Sequence, residues 1–156
     1  DFFGARQPET QALLDLTAAE RPDLIMNMHT GAQFMHPLRP FVEPVLTPAF
    51  EELYRRVMTG LTAASLARTD DPSVEANPAR ERMSPYNLDT ALNLNCGALS
   101  VVVECPAHDC SPAERMGRPF RHTPDLLLDA QLTCHENAMR FLAETGGRTQ
   151  WTQKKR

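Results

Sequence analysis

Two ionisable side chains, His29 and Glu104, each stand at the end of a short apolar run. The first run is DLIMNMHTG at residues 23–31, and the second is LSVVVECP at residues 99–106. Apolar runs of this length, bounded by proline or glycine, are typical of buried strands in a parallel sheet. Open α/β sheets bind their ligands at the carboxyl ends of such strands. We therefore predict that His29 and Glu104 share one site at one edge of a sheet.

Glu104 carries the stronger chemical argument of the two. A carboxylate that follows three valines is costly to bury unless hydrogen bonds or a cation compensate its charge. Carboxylates in such surroundings are candidates for general acid–base catalysis. The alternative is a structural ion pair between Glu104 and an arginine such as Arg115 or Arg118.

The histidines differ in how well they are placed for chemistry. His29 stands two residues before Gly31, and a glycine there allows a ligand to approach the backbone closely. The alternative is a histidine that serves only as a hydrogen-bonded part of the core. His36 and His108 fall in predicted loops that follow the two strands, where either would be near the site.

The remaining sequence predicts the helices that must position these strands. Three helices are expected to start with a proline in the first turn, and they span residues 8–21, 47–66 and 123–145. Thr47 and Thr123 are the predicted N-caps of the second and third of these helices. The pattern at residues 87–95 is ambiguous between helix and strand. Prolines divide three further segments, which are predicted as loops: residues 31–47, 68–85 and 107–122.

Composition excludes several functional classes. The 156 residues fit one domain, which we place at residues 1–147 with a polar tail at residues 148–156. A net charge of −4 and scattered basic residues argue against a nucleic-acid surface. No apolar segment reaches the roughly 20 residues that a membrane span needs. The beginning of the chain does not resemble a signal peptide, so a cytoplasmic location is slightly favoured over secretion.

No complete catalytic motif is present. The four cysteines form no C-x-x-C pair, and we expect buried free thiols rather than a structural zinc site. The sequence contains neither H-x-x-E nor H-E-x-x-H, and His29 alone is too few ligands for a catalytic zinc ion. The residues by themselves indicate an α/β domain with an incomplete His/Glu site at a strand end.

The order of these features resembles the zinc metallocarboxypeptidase family in its broad sense, which includes murein-peptide amidases and aminoacyl deacylases. The resemblance rests on PETQAL at residues 8–13 opening a helix, on the strand that ends in His29, and on Glu104 ending a later strand. It covers nearly the whole chain. It implies a three-layer α/β/α fold with a mixed, largely parallel sheet. This chain would be the C-terminal portion of the catalytic domain, incomplete at the N-terminus.

The resemblance also implies roles for particular residues. His29 would be the third zinc ligand, and Glu104 the general base that acts on a water activated by the metal. Thr30 stands where the family often has serine, and Tyr86 is the nearest candidate for its mobile active-site tyrosine, so both are predicted to bind substrate. Arg82 and Asp89 fall in the region that lines the specificity pocket.

The family's other two zinc ligands come from an H-x-x-E motif, and its substrate carboxylate is held by an Asn-Arg pair. We expect both upstream of Asp1, so this chain alone is expected to be inactive. The predicted activity is zinc-dependent hydrolysis of a C-terminal peptide bond or a related amide bond. The substrate would be a peptide or an acylated amino acid.

Two other functions are compatible with the same residues. The first is a non-catalytic binding domain that keeps the fold but has lost the metal. Alternatively, His29 and Glu104 would act without metal, which requires a nucleophile, and Thr30 is the only hydroxyl adjacent to His29. An H-x-x-E motif upstream would favour the hydrolase.

Overall fold

The protein combines helices and strands in a mixed α/β arrangement, as predicted at the level of fold class. The computed structural model describes residues 7–32, 36–38, 43–64, 87–106 and 123–153, with the backbone alone at residues 30–32, 36–38 and 106. In chain order the elements are α1 (Pro8–Glu20), β1 (Leu24–Ala32), β2 (His36–Leu38), a 3-10 turn (Pro44–Leu46), α2 (Thr47–Ala63), α3 (Leu88–Cys96), β3 (Leu99–Pro106), α4 (Pro124–Thr145) and α5 (Arg148–Trp151). None of these described helices is long and apolar enough to cross a membrane.

The described strands form one sheet in the order β1-β3-β2. The two apolar runs of the sequence are β1 and β3, which pair with each other and are parallel, and this confirms the prediction of parallel strands in one sheet. β2 runs antiparallel to β3 on its other side. The sheet is therefore mixed, with the strand that ends in Glu104 at its centre.

The prediction of an uninterrupted loop at residues 31–47 is wrong. β1 continues to Ala32, β2 occupies His36–Leu38, and Pro44–Leu46 form a 3-10 turn. Prolines exclude long elements from this segment, but a three-residue strand at the edge of a sheet tolerates one. His36 consequently belongs to the sheet rather than to a loop.

One face of the sheet forms the main hydrophobic core. Alternate residues of β3 point into it, namely Leu99, Val101, Val103 and Cys105, and all of them are buried. They pack against the apolar faces of α2 and α4, whose buried residues recur at helical spacing. Leu24, Met26 and Met28 of β1 extend the same layer.

The opposite face of the sheet is covered in part by α3, which contacts β3 and also packs against α1. Helices therefore lie on both faces of the described sheet. The side-chain amide of Asn95 on α3 donates to the carbonyl of Leu14 on α1 at 2.8 Å. This bond ties the two helices to each other.

Local capping explains which helix boundaries were predictable. Thr123 caps α4 as predicted, since its hydroxyl accepts from the backbone N–H of Leu126 at 3.2 Å. The prediction of Thr47 as an N-cap is wrong, because the N-cap position of α2 is Leu46, at the end of the 3-10 turn. This helix ends at Ala63 rather than near residue 66.

The segment predicted as a polar tail begins with a packed turn of helix. Trp151 of α5 stacks on Phe141 of α4, with 5.0 Å between the ring centroids. Its indole N–H donates to the hydroxyl of Thr145 at 2.8 Å. The backbone N–H of Arg148 donates to the Asp23 carboxylate at 2.8 Å, which links α5 to the start of β1.

A charged network joins α2 to α4 at the surface. Glu52 accepts hydrogen bonds from Arg55 and Arg56 one turn further along α2. Arg56 also pairs with Glu144 of α4. The hydrogen bonds from the two arginines lower the pKa of Glu52 from 4.5 to about 2. The carboxylate of Glu52 is therefore stabilised by folding.

We expect this network to make stability depend on acidity between pH 4.5 and about pH 2. The folded-state pKa of Glu52 is depressed, so its contribution is present above the unfolded pKa and is lost as the pH falls through the folded pKa. Urea midpoints of the wild type and Glu52→Gln should differ near neutral pH and converge toward pH 2. The exposed neighbour Glu51 supplies the control Glu51→Gln. A Glu52→Gln difference that is constant across this range would contradict the assignment.

Candidate functional site

His29 and Glu104 are register partners at the carboxyl end of the paired strands β1 and β3. Neighbouring strands lie about 4.8 Å apart, so the two residues stand side by side. Their sequence neighbours Met28 and Val103 face the main core, so His29 and Glu104 lie on the opposite face. His29 is exposed and Glu104 is half-buried, which leaves both side chains accessible from solvent.

A buried carboxylate lies behind this pair on the same face. Asp89 of α3 has only 1% of its surface exposed. It accepts a hydrogen bond from the hydroxyl of Ser100 on β3 at 2.6 Å and another from the amide of Asn27 on β1 at 2.8 Å. One side chain therefore bonds to both strands of the parallel pair. Asn27 precedes His29 by two residues and shares its face.

The sequence of α3 explains why Asp89 is held in this place. Asn87 is the N-cap, and its side-chain oxygen accepts from the backbone N–H of Thr90 at 2.8 Å. Asp89 then falls in the first turn, where the helix dipole stabilises a negative charge. Gly97 ends the helix in the left-handed conformation, with φ of 75°, and the chain turns directly into β3. This short connection brings Asp89 back alongside Ser100.

His36 is the second strand residue in register with Glu104. It occupies the position on β2 opposite Glu104, so Glu104 lies between His29 and His36 in the sheet. His36 was predicted to lie in a loop near the site, and its strand was missed because a three-residue edge strand containing proline has no recognisable periodicity. Its pairing with β3 is a tertiary property.

The buried cysteines do not supply a nucleophile to this site. Cys105 follows Glu104 but faces the main core, and it is buried there. Burial raises the pKa of the Cys105 thiol, and the charge of Glu104 adds to the effect. Burial also raises the pKa of Cys134 to about 12. Both groups remain thiols at neutral pH, and the thiolate is the reactive form. Cys96 is likewise a buried free thiol, in agreement with the prediction for these three cysteines.

The other predicted site residues have different outcomes. Thr30 lies on β1 directly after His29 and pairs with Cys105 in the backbone ladder. Asp89 is a buried partner of two strands, and its bonds to Asn27 and Ser100 occupy both carboxylate oxygens. Some predictions concern residues outside the described part of the chain: Tyr86, Arg82, His108, Cys110, Arg115 and Arg118.

The sequence contained a signal for Asn27 and Ser100 that was not used. Both are polar residues inside apolar runs, and each lies an even number of positions before the ionisable residue of its run. Because side chains alternate along a strand, this even spacing places Asn27 and Ser100 on one face with His29 and Glu104. A polar residue at such a position requires a buried hydrogen-bonding partner. The partner of both is Asp89.

The donors at this site are of the kind that zinc takes in catalytic centres, namely imidazole and carboxylate. Among the side chains that the structure describes, no three His, Cys, Asp or Glu groups cluster closely enough to hold a metal ion. His36 is described by its backbone alone and stands outside that set.

Comparison of the chain with models of protein families, with curated proteins and with solved structures gave no significant match. The family resemblance therefore rests on the sequence motifs and stays a prediction.

We expect Asp89→Leu to destabilise the protein by roughly 3 kcal/mol, because it leaves the Asn27 amide and the Ser100 hydroxyl without their partner. Asp89→Asn should cost less, because a flipped Asn27 amide would accept from the new amide. Urea unfolding measures both values. The control is Asp129→Leu at an exposed position of α4. The assignment fails if Asp89→Leu is no more costly than Asp129→Leu.

Proposed function

We propose that this chain is the C-terminal portion of a zinc-dependent hydrolase domain of the metallocarboxypeptidase type. The observation that carries the proposal is the register of His29 with Glu104 at the carboxyl ends of two parallel strands. An imidazole and a carboxylate thereby stand together on one accessible face. A three-layer α/β/α fold with a largely parallel sheet is part of the proposal, supported by helices on both faces of the described sheet.

In this proposal His29 holds the zinc ion through an imidazole nitrogen. Bound zinc would supply Lewis acidity, which polarises a carbonyl group and lowers the pKa of water. Glu104 would accept a proton from the attacking water and donate it to the leaving amine. The position of Glu104 beside His29, half-buried but accessible, suits both tasks.

The substrate is proposed to be a peptide with a free C-terminus or an acylated amino acid. Thr30 follows His29 on β1 and pairs with Cys105, so its role in substrate binding rests on the family resemblance. Tyr86 is assigned to substrate binding by the family resemblance alone. The remaining zinc ligands would come from an H-x-x-E motif upstream of this chain. A cytoplasmic location agrees with the three buried free thiols.

The buried Asp89 network supports this function indirectly. Catalytic groups need to be held in place by their surroundings. Because Asp89 bonds to β1 and β3 on the face that carries His29 and Glu104, it limits sliding of one strand along the other. The two reactive side chains thus stand on a fixed pair of strands rather than on loops.

The proposal is tested by comparing Glu104→Gln with His29→Ala in the full-length protein. The amide introduced by Glu104→Gln cannot accept a proton, so turnover should fall by about 10²–10⁴-fold. Bound zinc should be retained, because Glu104 is not a zinc ligand in this proposal. His29→Ala removes a ligand and should lower both zinc occupancy and turnover. The measurements are hydrolysis of an N-blocked dipeptide and of an N-acetyl amino acid, with zinc determined by atomic absorption.

His135→Ala is the matched control, since His135 is an exposed histidine on α4, remote from the site face. It should leave both zinc and turnover unchanged. If Glu104→Gln keeps more than about a tenth of wild-type turnover, the general-base role is wrong. If the full-length protein does not bind zinc and does not hydrolyse either substrate, the result would favour the non-catalytic binding domain.

A further inference from the structure

An exposed apolar stripe runs along α4. Leu128, Leu132 and Met139 are 54%, 58% and 67% exposed, and they are three of the six large hydrophobic side chains that are exposed in the described part of the chain. His135 is also exposed and lies in line with them. These spacings place the four side chains on one side of a helix that has about 3.6 residues per turn. The stripe is distinct from the buried residues of the same helix that face the main core.

The stripe points away from α2. A side chain added at Gly60 of α2 would meet the amide of Asn137, so Asn137 marks the side of α4 that faces α2. Glu144 marks the same side through its pairing with Arg56. At about 100° per residue, the stripe lies roughly on the opposite side of the helix. Because α2 contacts β2, α4 contacts β3, and the sheet order is β1-β3-β2, the stripe faces the space above β1.

The core face of β1 is only partly covered. Leu24, Met26 and Met28 pack against the main core but stay half-buried, whereas the core-facing residues of β3 are buried under α2 and α4. The stripe on α4 and these side chains of β1 are therefore two walls of one apolar notch. Packed helices lie about 8–10 Å apart, so one further helix beside α4 would cover both walls. The side chains of the notch are Leu24, Met26, Met28, Leu128, Leu132 and Met139.

The solvent side of the notch is acidic. Asp125, Asp129 and Glu136 are exposed on α4 and border the stripe on the side away from the sheet. One arginine, Arg140, pairs with Glu136, so carboxylates are in excess along this border. Two copies of the chain paired through the stripe would bring these like charges together, which disfavours a second copy as the occupant. A helix with lysine or arginine along its solvent border is complementary to the notch.

We infer that the notch is the docking surface for one amphipathic helix from the portion of the protein upstream of Asp1. Its apolar face would lie against α4 and β1, and its basic residues beside Asp129 and Glu136. The inference rests on the proposed function, which requires an upstream portion of the same domain. The apolar walls of the notch are continuous with the main core, which is the arrangement expected within one domain. A helix in this place completes the helical layer over β1, the strand that carries His29.

The experiment compares oxidation of Met139 by hydrogen peroxide in the full-length protein and in the 156-residue chain, followed by mass spectrometry. Met139 should be oxidised at least tenfold more slowly in the full-length protein, because the docked helix covers it. Met58, which is buried in α2, is the reference for a methionine that is protected in both forms. Glu51→Met supplies an exposed methionine on α2, whose rate should agree within twofold between the two forms. Circular dichroism verifies that each form is folded.

Variants of the full-length protein test the two walls and the charge separately. Leu132→Glu places a charge in the notch and should bring Met139 oxidation to within threefold of the rate in the 156-residue chain. Leu16→Glu is the matched control on α1, where Leu16 is 57% exposed, and should leave Met139 protected. Asp129→Lys should raise Met139 oxidation at least threefold, whereas Glu51→Lys should not change it. If Leu132→Glu does not fold, Leu132→Gln replaces it.

Equal oxidation of Met139 in the two forms would overturn the inference, and zinc binding and turnover would then decide the proposed function separately. Protection in the 156-residue chain that rises with its concentration, together with a dimer in sedimentation, would identify a second copy as the occupant and also overturn it. If the full-length protein protects Met139 but neither binds zinc nor hydrolyses its substrates, the docking surface stands and the hydrolase function is wrong.

Discussion

The register of β1 on β3 is the constraint on which the candidate site depends. Side chains alternate between the two faces of a strand, so a slip of one residue would turn His29 toward the main core. Two features hold the register. The apolar residues of both strands fill the core under α2 and α4, and Asp89 bonds to Asn27 and Ser100 on the other face. The first feature selects the face, and the second fixes the position along the strand.

Much of this fold could be predicted from local sequence. The helices α1 and α4 follow from a proline in the first turn and a terminal stop, and α4 follows also from an apolar stripe; each of these signals is local. The strands β1 and β3 follow from short apolar runs. The errors have different causes: pairing with β3 makes residues 36–38 a strand, whereas the start of α2 is set locally. Thr47 has the chemistry of a cap, but the preceding 3-10 turn places Leu46 at the cap position.

The site was predictable only in its simplest part. His29 and Glu104 were expected to meet, because the carboxyl ends of parallel strands lie at one edge of a sheet. The Asp89 contacts could not be derived in the same way, since Asn27 and Asp89 are 62 residues apart in the chain. The alternation of side chains along a strand identifies the polar residues on one face, but it does not identify the helix that covers them. His36 required the backbone of a third strand.

The two faces of the sheet differ in chemistry, because one is an apolar core and the other carries carboxylates. Successive residues of β3 alternate between these two faces. On the core face Cys105 is buried with its thiol neutral, and burial raises its pKa. On the other face Glu104 is half-buried, and Asp89 is fully buried with two neutral hydrogen-bond donors. Within the described residues, neither carboxylate has a lysine or arginine partner.

Glu104 and Asp89 share the face of the sheet that carries His29. A buried carboxylate with neutral partners keeps much of its field, because the surrounding protein screens it less than water does. In the proposed function, such a field would favour a metal ion over an anionic group beside Glu104, and the hydrogen bonds of Asp89 to Asn27 and Ser100 would hold its source in place.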